Sequence, residues 1–241
     1  HVAEQVLSEM NREGITDAAV IYENTGFGQE GLKHIEALAG KFKVNLALKE
    51  ALAPAATDSD VETILTRVKA NSKIGAIIVW SVIPAQSAIP KKMKELGMEK
   101  IKMFASQGFG NIKYVQAAGG GAEGVIFPAG KLLVADQLLD TDKQKKIVVD
   151  YKTAYETKYK EDASVFGAHA YDAFYLIVDA IKAKGADRAA VRDGIESTQN
   201  FIGVDGIYNF SKSDHNGLGL DSLELLTVKN GKFTFLNPPA K

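Results

Sequence analysis

The chain has 241 residues, of which 46% are hydrophobic and 24% are charged, as is ordinary for a globular protein with a sizeable core. A formal net charge of −1 excludes the global basic field that nucleic-acid binding uses. Because there is no cysteine, disulfides, thiolate metal sites and cysteine nucleophiles are also excluded. The first residue is His1 and no signal-peptide pattern follows it, so we expect that an N-terminal piece has been removed.

The first half of the chain alternates short apolar runs with helical patterns. Apolar residues at helical spacing between Val61 and Val68 predict an amphipathic helix, with Asp58 or Ser59 as its N-cap. A further helix is predicted over Pro84–Gly97. Such alternation predicts right-handed crossovers and a parallel α/β sheet. The runs predicted as buried strands are Ala18–Tyr22, Val44–Leu48, Ile74–Trp80, Ile101–Ala105 and Gly124–Phe127.

The pattern changes after about Pro128, where helical periodicity becomes dominant. A long amphipathic helix is predicted over Lys143–Lys160, and two further helices follow it, around residues 171–181 and over Ala189–Glu196. The tail predicts a β-hairpin whose type I′ turn is formed by Asn230 and Gly231.

A glycine motif follows the first predicted strand. Gly26, Gly28 and Gly31 spell G-x-G-x-x-G, and Glu50 lies at a plausible distance for a ribose contact, so a nucleotide-dependent Rossmann-type enzyme is one alternative. In a dinucleotide fold, however, the first glycine comes directly off the strand. Here residues 23–25 intervene, one of them the acidic Glu23. The motif therefore favours a ligand-binding loop over a nucleotide site.

Three loops leave the carboxyl edge of the predicted sheet, where open α/β sheets bind ligands. Aromatic walls with a few placed polar groups are typical of a small-molecule pocket. The alternative is that Trp80 and Phe109 only cap the core. The loop residues that predict the pocket are Phe27, Trp80, Ser81, Ser106, Gln107 and Phe109.

No catalytic set is found, so the sequence predicts neither an enzyme nor a resident cofactor or metal. The four histidines are scattered and form no metal-ligand pattern. His169 and Asp172 lie three residues apart on a predicted helix, and we interpret Asp172 as an exposed acid.

Several segments resemble, in order, the type I periplasmic solute-binding proteins of the leucine/isoleucine/valine-binding family, which serve ABC importers. The segments that carry the resemblance are "AAVIYENTGFGQEG", "DSDVETILTRVKANSKIGAIIVW", "IPKKMKELGM" with "MFASQGFGN", "AHAYDAFYLIVDAIKAKG", "FIGVDGIYNFSKSDHNG" and "VKNGKF".

The resemblance implies an α/β fold with a parallel-sheet, Rossmann-like lobe and a partial second lobe. Residues 1–162 would form the family's second lobe, 163–220 the returning, incomplete part of its first lobe, and 221–241 a hairpin near the hinge. The family's N-terminal segment, which usually supplies donors for the ligand's carboxylate, has no counterpart here. With half a cleft exposed, we expect that the chain could self-associate as a homo-oligomer.

The family's ligand contacts correspond to Phe27, to Trp80, Ser81 and Val82, to Gln107, and to a position beside His169. Phe109 is added from the loop composition. Gln107 stands where amino-acid binders commonly have a carboxylate that binds the ligand's ammonium group. Because an amide cannot neutralise a cation, our hypothesis is a ligand without an α-amino group, such as an aromatic or other apolar carboxylate.

The function implied by the resemblance is capture of a small carboxylate, branched-chain amino acid-like or aromatic, between two lobes that close on it. The expected partners are this ligand and a membrane permease, with no nucleic acid, and the expected location is periplasmic or extracellular. A ligand-sensing domain of a receptor is an alternative with the same fold.

Overall fold

The computed structural model describes residues 1–238, which divide into two compact units. Unit 1 comprises residues 1–128 and 225–237, and unit 2 comprises residues 129–224 and Pro238. Within residues 1–238, no helix combines the length and apolar character that crossing a membrane requires.

Helices and strands alternate along unit 1, and helices predominate in unit 2. The elements of unit 1 are α1 (Val2–Arg12), β1 (Asp17–Glu23), α2 (Gly26–Ala39), β2 (Asn45–Leu52), α3 (Asp58–Ala70), β3 (Ala76–Trp80), α4 (Ala88–Glu95), β4 (Lys102–Ala105), α5 (Ile112–Ala118) and β5 (Ile126–Ala129). Those of unit 2 are α6 (Lys145–Tyr159), α7 (Val165–Lys184), α8 (Arg188–Glu196), β6 (Phe201–Ile202) and β7 (Ile207–Tyr208). The chain then returns to unit 1 as β8 (Glu224–Lys229) and β9 (Lys232–Phe235).

One seven-stranded sheet has the strand order β2-β1-β3-β4-β5-β8-β9. Strand β1 pairs in parallel with both β2 and β3, and the parallel ladder continues through β4 to β5. Strands β8 and β9 pair antiparallel. The mostly parallel sheet confirms the predicted α/β, Rossmann-like fold class. Because the chain moves outward from β1 in both directions, β1 and β3 flank the point where the strand order reverses.

Helices cover both faces of this sheet. On one face, Val6 and Leu7 of α1 and Ile35 of α2 pack in one buried cluster with Val20 and Ile78 of the sheet. On the other side, α3 packs against α4, and α4 against α5. Since side chains alternate along a strand, Trp80 of β3 faces α1 and α2, while Glu23 of β1 faces the opposite way.

Local signals explain most element boundaries and correct one prediction. The N-cap of α3 is Thr57, not Asp58 or Ser59. Its hydroxyl accepts from the Asp60 backbone N–H at 3.3 Å, and the Asp60 carboxylate accepts from the Thr57 N–H at 2.8 Å, a complete capping box. The hairpin turn is confirmed, because Asn230 and Gly231 adopt positive φ values of 53° and 69°.

The predicted helix over Pro84–Gly97 is two elements: a 3-10 turn over Pro84–Ser87 followed by α4. The predicted segments 1–162, 163–220 and 221–241 stay predictions. The contact division of the chain is a separate finding. It falls after Pro128, where the sequence pattern changes, because α6 packs on the 3-10 segment Lys131–Gln137 within unit 2.

In unit 2, α7 packs against α8 and against the 3-10 segment that α6 also contacts. Leu176 of α7 packs in a buried cluster with Tyr208 and Phe210. One face of α7 leaves large apolar side chains exposed among the described residues. These side chains, which we call the α7 stripe, are Phe166, Phe174, Ile177 and Ile181.

Candidate functional site

The carboxyl ends of β1 and β3 lie side by side, with Tyr22 and Trp80 in register. The loops that follow these two strands are therefore neighbours at the point where the strand order reverses. Open α/β sheets bind ligands at this position, since the crevice between diverging loops is left open there. We call this edge of unit 1 the rim, formed by residues 23–27, 80–83 and 106–109.

Two glycines of the G-x-G-x-x-G motif are required by packing inside the protein. A Cβ atom at residue 28 would overlap the Glu23 carbonyl oxygen and lie 2.8 Å from the Glu23 Cγ. At residue 31 a Cβ would overlap the indole ring of Trp80. Gly26 has no atom within 4 Å of the position of a Cβ. The motif thus lets the first turns of α2 approach β1 and β3 closely.

Glu50, the candidate ribose contact, is engaged elsewhere. Its two carboxylate oxygens accept from Arg67 Nε at 2.8 Å and from Arg67 Nη2 at 2.7 Å. A bidentate pair of this kind has well-defined geometry and competes with any other donor. The two features that suggested a nucleotide site therefore have explanations within the fold of unit 1.

Phe27 and Trp80 form an aromatic wall of the rim. Their ring centroids lie 6.0 Å apart with a tilted arrangement. Phe27 is partly buried, whereas Trp80 is only 6% exposed, because its indole lies against Gly31. The indole Nε1 is buried and has no hydrogen-bond partner among the described residues. The Trp80 side chain thus packs in the core and also contacts Phe27 at the rim.

Ser81 and Val82 are held by a carboxylate that the sequence analysis did not select. Glu23 is 2% exposed, and its Oε2 accepts from the Ser81 hydroxyl at 3.1 Å and from the Val82 backbone N–H at 2.6 Å. The Ile83 N–H donates to the same oxygen at 3.2 Å. On the opposite side of the loop, the Tyr114 hydroxyl donates to the Val82 carbonyl at 2.6 Å.

The loop after β4 joins the same rim. A Cβ at Gly108 would lie 2.5 Å from Val82 Cγ1 and 2.6 Å from the Ser81 carbonyl oxygen, so the two loops are in close contact. Gln107 is partly exposed, but its Oε1 is buried and has no hydrogen-bond partner in the described part of the chain. An unpaired amide oxygen at a rim can accept a hydrogen bond from a ligand.

Phe109 is the last residue of the rim, but its side chain lies in the core. It is fully buried, and its ring stacks on Tyr114 at 6.2 Å and meets Phe127 edge-on at 5.5 Å between centroids. The structure therefore gives Phe109 the core-capping position that the sequence analysis kept as the alternative. Its predicted ligand contact stays a prediction.

His169 lies on α7 in unit 2, with its side chain 57% exposed. Its Nδ1 lies 2.9 Å from Oδ2 of Asp205, and this contact raises the pKa of the imidazole. The interpretation of Asp172 as an exposed acid is wrong. Asp172 is 1% exposed and accepts from the Val204 N–H at 2.8 Å and the Asp205 N–H at 2.9 Å, and burial raises the pKa of its carboxyl.

The residue that sequence reasoning missed is Glu23. The available signal was an acidic residue placed directly at the carboxyl end of a buried strand, which we interpreted only as unfavourable to phosphate. Among residues 1–238 there is no cluster of three or more histidine or acidic side chains arranged to hold a metal ion. The rim therefore consists of an aromatic pair, an unpaired amide oxygen and a loop fixed by Glu23.

Comparisons with known proteins identify chains that share the fold of this protein. Rp1789 of Rhodopseudomonas palustris strain CGA009 matches with a TM-score of 0.87 and 26% identity, over 98% of this chain and 68% of that chain. A protein described as an extracellular ligand-binding receptor from Rhodopseudomonas palustris HaA2 matches with a TM-score of 0.86 and 23% identity. This match covers 97% of this chain and 66% of that chain. LivJ of Streptococcus pneumoniae is a branched-chain amino acid transporter substrate binding protein solved in complex with isoleucine. It matches with a TM-score of 0.76 and 23% identity, over 96% of this chain and 62% of that chain.

The chain thus spans about two thirds of the length of these solved structures. A search of curated proteins found no match. The family model described as periplasmic binding protein matches residues 2–232, which is almost the whole sequence. The match and the shared fold confirm the resemblance, and the chain belongs to the periplasmic binding protein family.

Proposed function

We propose that this protein is the extracytoplasmic solute-binding component of an ABC importer and that it captures a small carboxylate, preferably an aromatic acid. Family membership supports a binding role, and the position of the rim at the strand-order reversal supports a ligand site there. The expected partners are the ligand and a membrane permease. The protein would act in the periplasm or outside the cell.

The observation that carries the ligand class is the composition of the rim. Phe27 and Trp80 offer an aromatic wall, and Gln107 offers a neutral amide, which cannot neutralise an ammonium group. A charge-assisted hydrogen bond is about twice as strong as a neutral one. The ammonium group of an amino-acid zwitterion is therefore bound much better by a carboxylate than by a neutral amide. At this rim the one buried carboxylate, Glu23, already accepts four hydrogen bonds from protein donors.

The proposal is tested by titrating the protein with benzoate and with L-leucine. Trp80 is the single tryptophan, so its emission reports on the rim without background from other sites. We expect a saturable change in emission with benzoate, a weaker response to leucine, and the same ranking by calorimetry. Tight leucine binding with no benzoate response would contradict the aromatic-acid proposal. Native mass spectrometry of freshly purified protein is a second readout, because it detects a co-purified ligand by mass.

A further inference from the structure

A set of hydrogen-bond donors converges on one point behind the rim. The Ser81 hydroxyl and the backbone N–H groups of Val82 and Ile83 all lie within 3.2 Å of Glu23 Oε2. Successive backbone N–H groups that point at one position form an anion-binding cradle. We call this set the 81–83 cradle.

The anion in the cradle belongs to the protein itself. The Glu23 carboxylate fills it through Oε2, while Oε1 accepts from the Thr25 hydroxyl at 2.6 Å. Among the described residues, no lysine, arginine or histidine side chain lies within ion-pair distance of Glu23, so its partners are two hydroxyls and two N–H groups. A buried carboxylate is tolerated when it is hydrogen-bonded in this way.

The surrounding residues keep the cradle and its carboxylate in place. The Tyr114 hydroxyl donates to the Val82 carbonyl, and the Ser106 hydroxyl donates to the Ser81 carbonyl at 3.4 Å, so the loop directs its N–H groups towards Glu23. Gly28 leaves room for Glu23, since a Cβ there would lie 2.8 Å from Glu23 Cγ.

We propose that Glu23 is a built-in anion that occupies the 81–83 cradle and thereby prevents this rim from binding the carboxylate of a ligand. The Val82 N–H donates to Glu23, and the Ile83 N–H is shared between Glu23 Oε2 and Ser81 Oγ, each at 3.2 Å. A ligand carboxylate could therefore use these N–H groups only by displacing the buried Glu23 side chain. Unit 1 then contacts the ring or aliphatic part of the ligand through Phe27 and Trp80. The statement about the ligand's orientation rests on the proposed function, but the occupied cradle does not.

The test is chemical rescue of the Glu23→Ala variant. This change removes the part of the side chain that corresponds to acetate and leaves the donors in place. We expect the variant to melt below the wild type in chloride and to regain stability in acetate at equal ionic strength and equal pH. With ~0.1 M acetate and a dissociation constant of ~10 mM, mass action predicts a rise of roughly 3–6 °C. The wild type should show no such rise.

Glu123→Ala is the matched control. Glu123 also accepts two backbone N–H groups, from Asn230 at 2.9 Å and from Gly231 at 2.7 Å, but it is exposed at the hairpin. Acetate should not restore this variant. Equal effects of acetate and chloride on Glu23→Ala, or equal rescue of both variants, would overturn the proposal.

A second variant keeps the test decisive if Glu23→Ala does not fold. Glu23→Gln preserves the volume of the side chain but replaces the carboxylate by a neutral amide. The cradle then faces either the NH₂ group, which is a donor, or the amide oxygen, which is a weaker acceptor than a carboxylate oxygen. We expect the amides of Val82 and Ile83 to exchange with deuterium at least tenfold faster than in the wild type, while hairpin amides are unchanged. Unchanged exchange at residues 82 and 83 would overturn the proposal. Rescue by acetate without benzoate binding would instead contradict only the proposed function.

Discussion

The packing explanation of the glycine motif predicts different effects for Gly26→Ala and Gly28→Ala, two substitutions in the first turn of α2. At Gly28 the new methyl group would overlap the backbone of Glu23. Overpacking costs about 1–3 kcal/mol, and displacement of the first turn would also disturb the N-cap bond from the Gly28 N–H to the Thr25 hydroxyl, worth about 1 kcal/mol. The gain in helix propensity offsets at most about 1 kcal/mol.

The expected net loss for Gly28→Ala is therefore about 1–3 kcal/mol, which corresponds to roughly 2–12 °C in melting temperature for a chain of this size. Gly26→Ala is the matched control, because no atom lies within 4 Å of its new methyl group. Its melting temperature should equal or slightly exceed that of the wild type.

Thermal unfolding followed by Trp80 emission is the suitable assay, since Trp80 lies in unit 1 and is the only tryptophan. Urea unfolding gives an independent free energy. If Gly28→Ala had the same melting temperature as Gly26→Ala, the close approach of α2 to β1 would not be the reason for a glycine at position 28. A saturable rise in wild-type melting temperature on adding NAD would favour the nucleotide alternative instead.

Three further predictions concern the rim and unit 2. Gln107→Glu should raise the affinity for L-leucine relative to benzoate by about tenfold, because a charge-assisted hydrogen bond to the ammonium group replaces a neutral one. Calorimetry on the wild type and on Gln107→Glu measures this ratio of affinities, and an unchanged ratio would place Gln107 outside the site. The pKa of His169 is raised by Asp205, so the stabilisation is fully present below the unfolded value of about 6.5 and is lost as pH rises through the higher folded value. The melting temperature of the wild type should thus exceed that of His169→Gln at pH ~6, and the difference should shrink as the pH rises further. A difference that grows with pH would refute this. Self-association through the α7 stripe should decrease in Phe174→Asp but not in the control Lys184→Asp, as measured by light scattering; identical masses for both variants would argue against the stripe.

Much of the fold could be predicted because its signals are local. The apolar runs that became β1, β3, β4 and β5 are mostly buried, as the inner strands of a parallel sheet require. The run over Val44–Leu48, also predicted as a buried strand, became β2, which is mostly half-buried or exposed because it is the edge strand of the sheet. The hairpin turn needed two adjacent residues that tolerate positive φ, and Asn230-Gly231 supplies them. The rim could be located as well, since the carboxyl ends of parallel strands meet at one edge.

The wrong predictions for Asp172 and for the N-cap of α3 depend on information that residue type alone does not carry. Asp172 is polar and lies on a helix that exposes many side chains, so its burial could not be seen without the loop at Val204 and Asp205 that donates to it from more than 30 residues away. Thr57 was passed over because Asp58 and Ser59 are equally good capping residues by type, and only backbone geometry distinguishes them. The ligand contact of Phe109 stays a prediction, but the burial of its ring depends on Phe127 of β5, which is distant in the sequence.

The sequence by itself determined most of the strands and helices of unit 1 and the parallel sheet, because periodicity and turn chemistry act over a few residues. The edge that a ligand would use stays a prediction. Only the tertiary structure decided that Glu23 meets Ser81 and Val82, residues almost 60 positions later, and that Gly28 and Gly31 make room for Glu23 and Trp80. Side-chain partners across a sheet depend on register and on the close packing of helices, and neither is written in the local pattern of one segment.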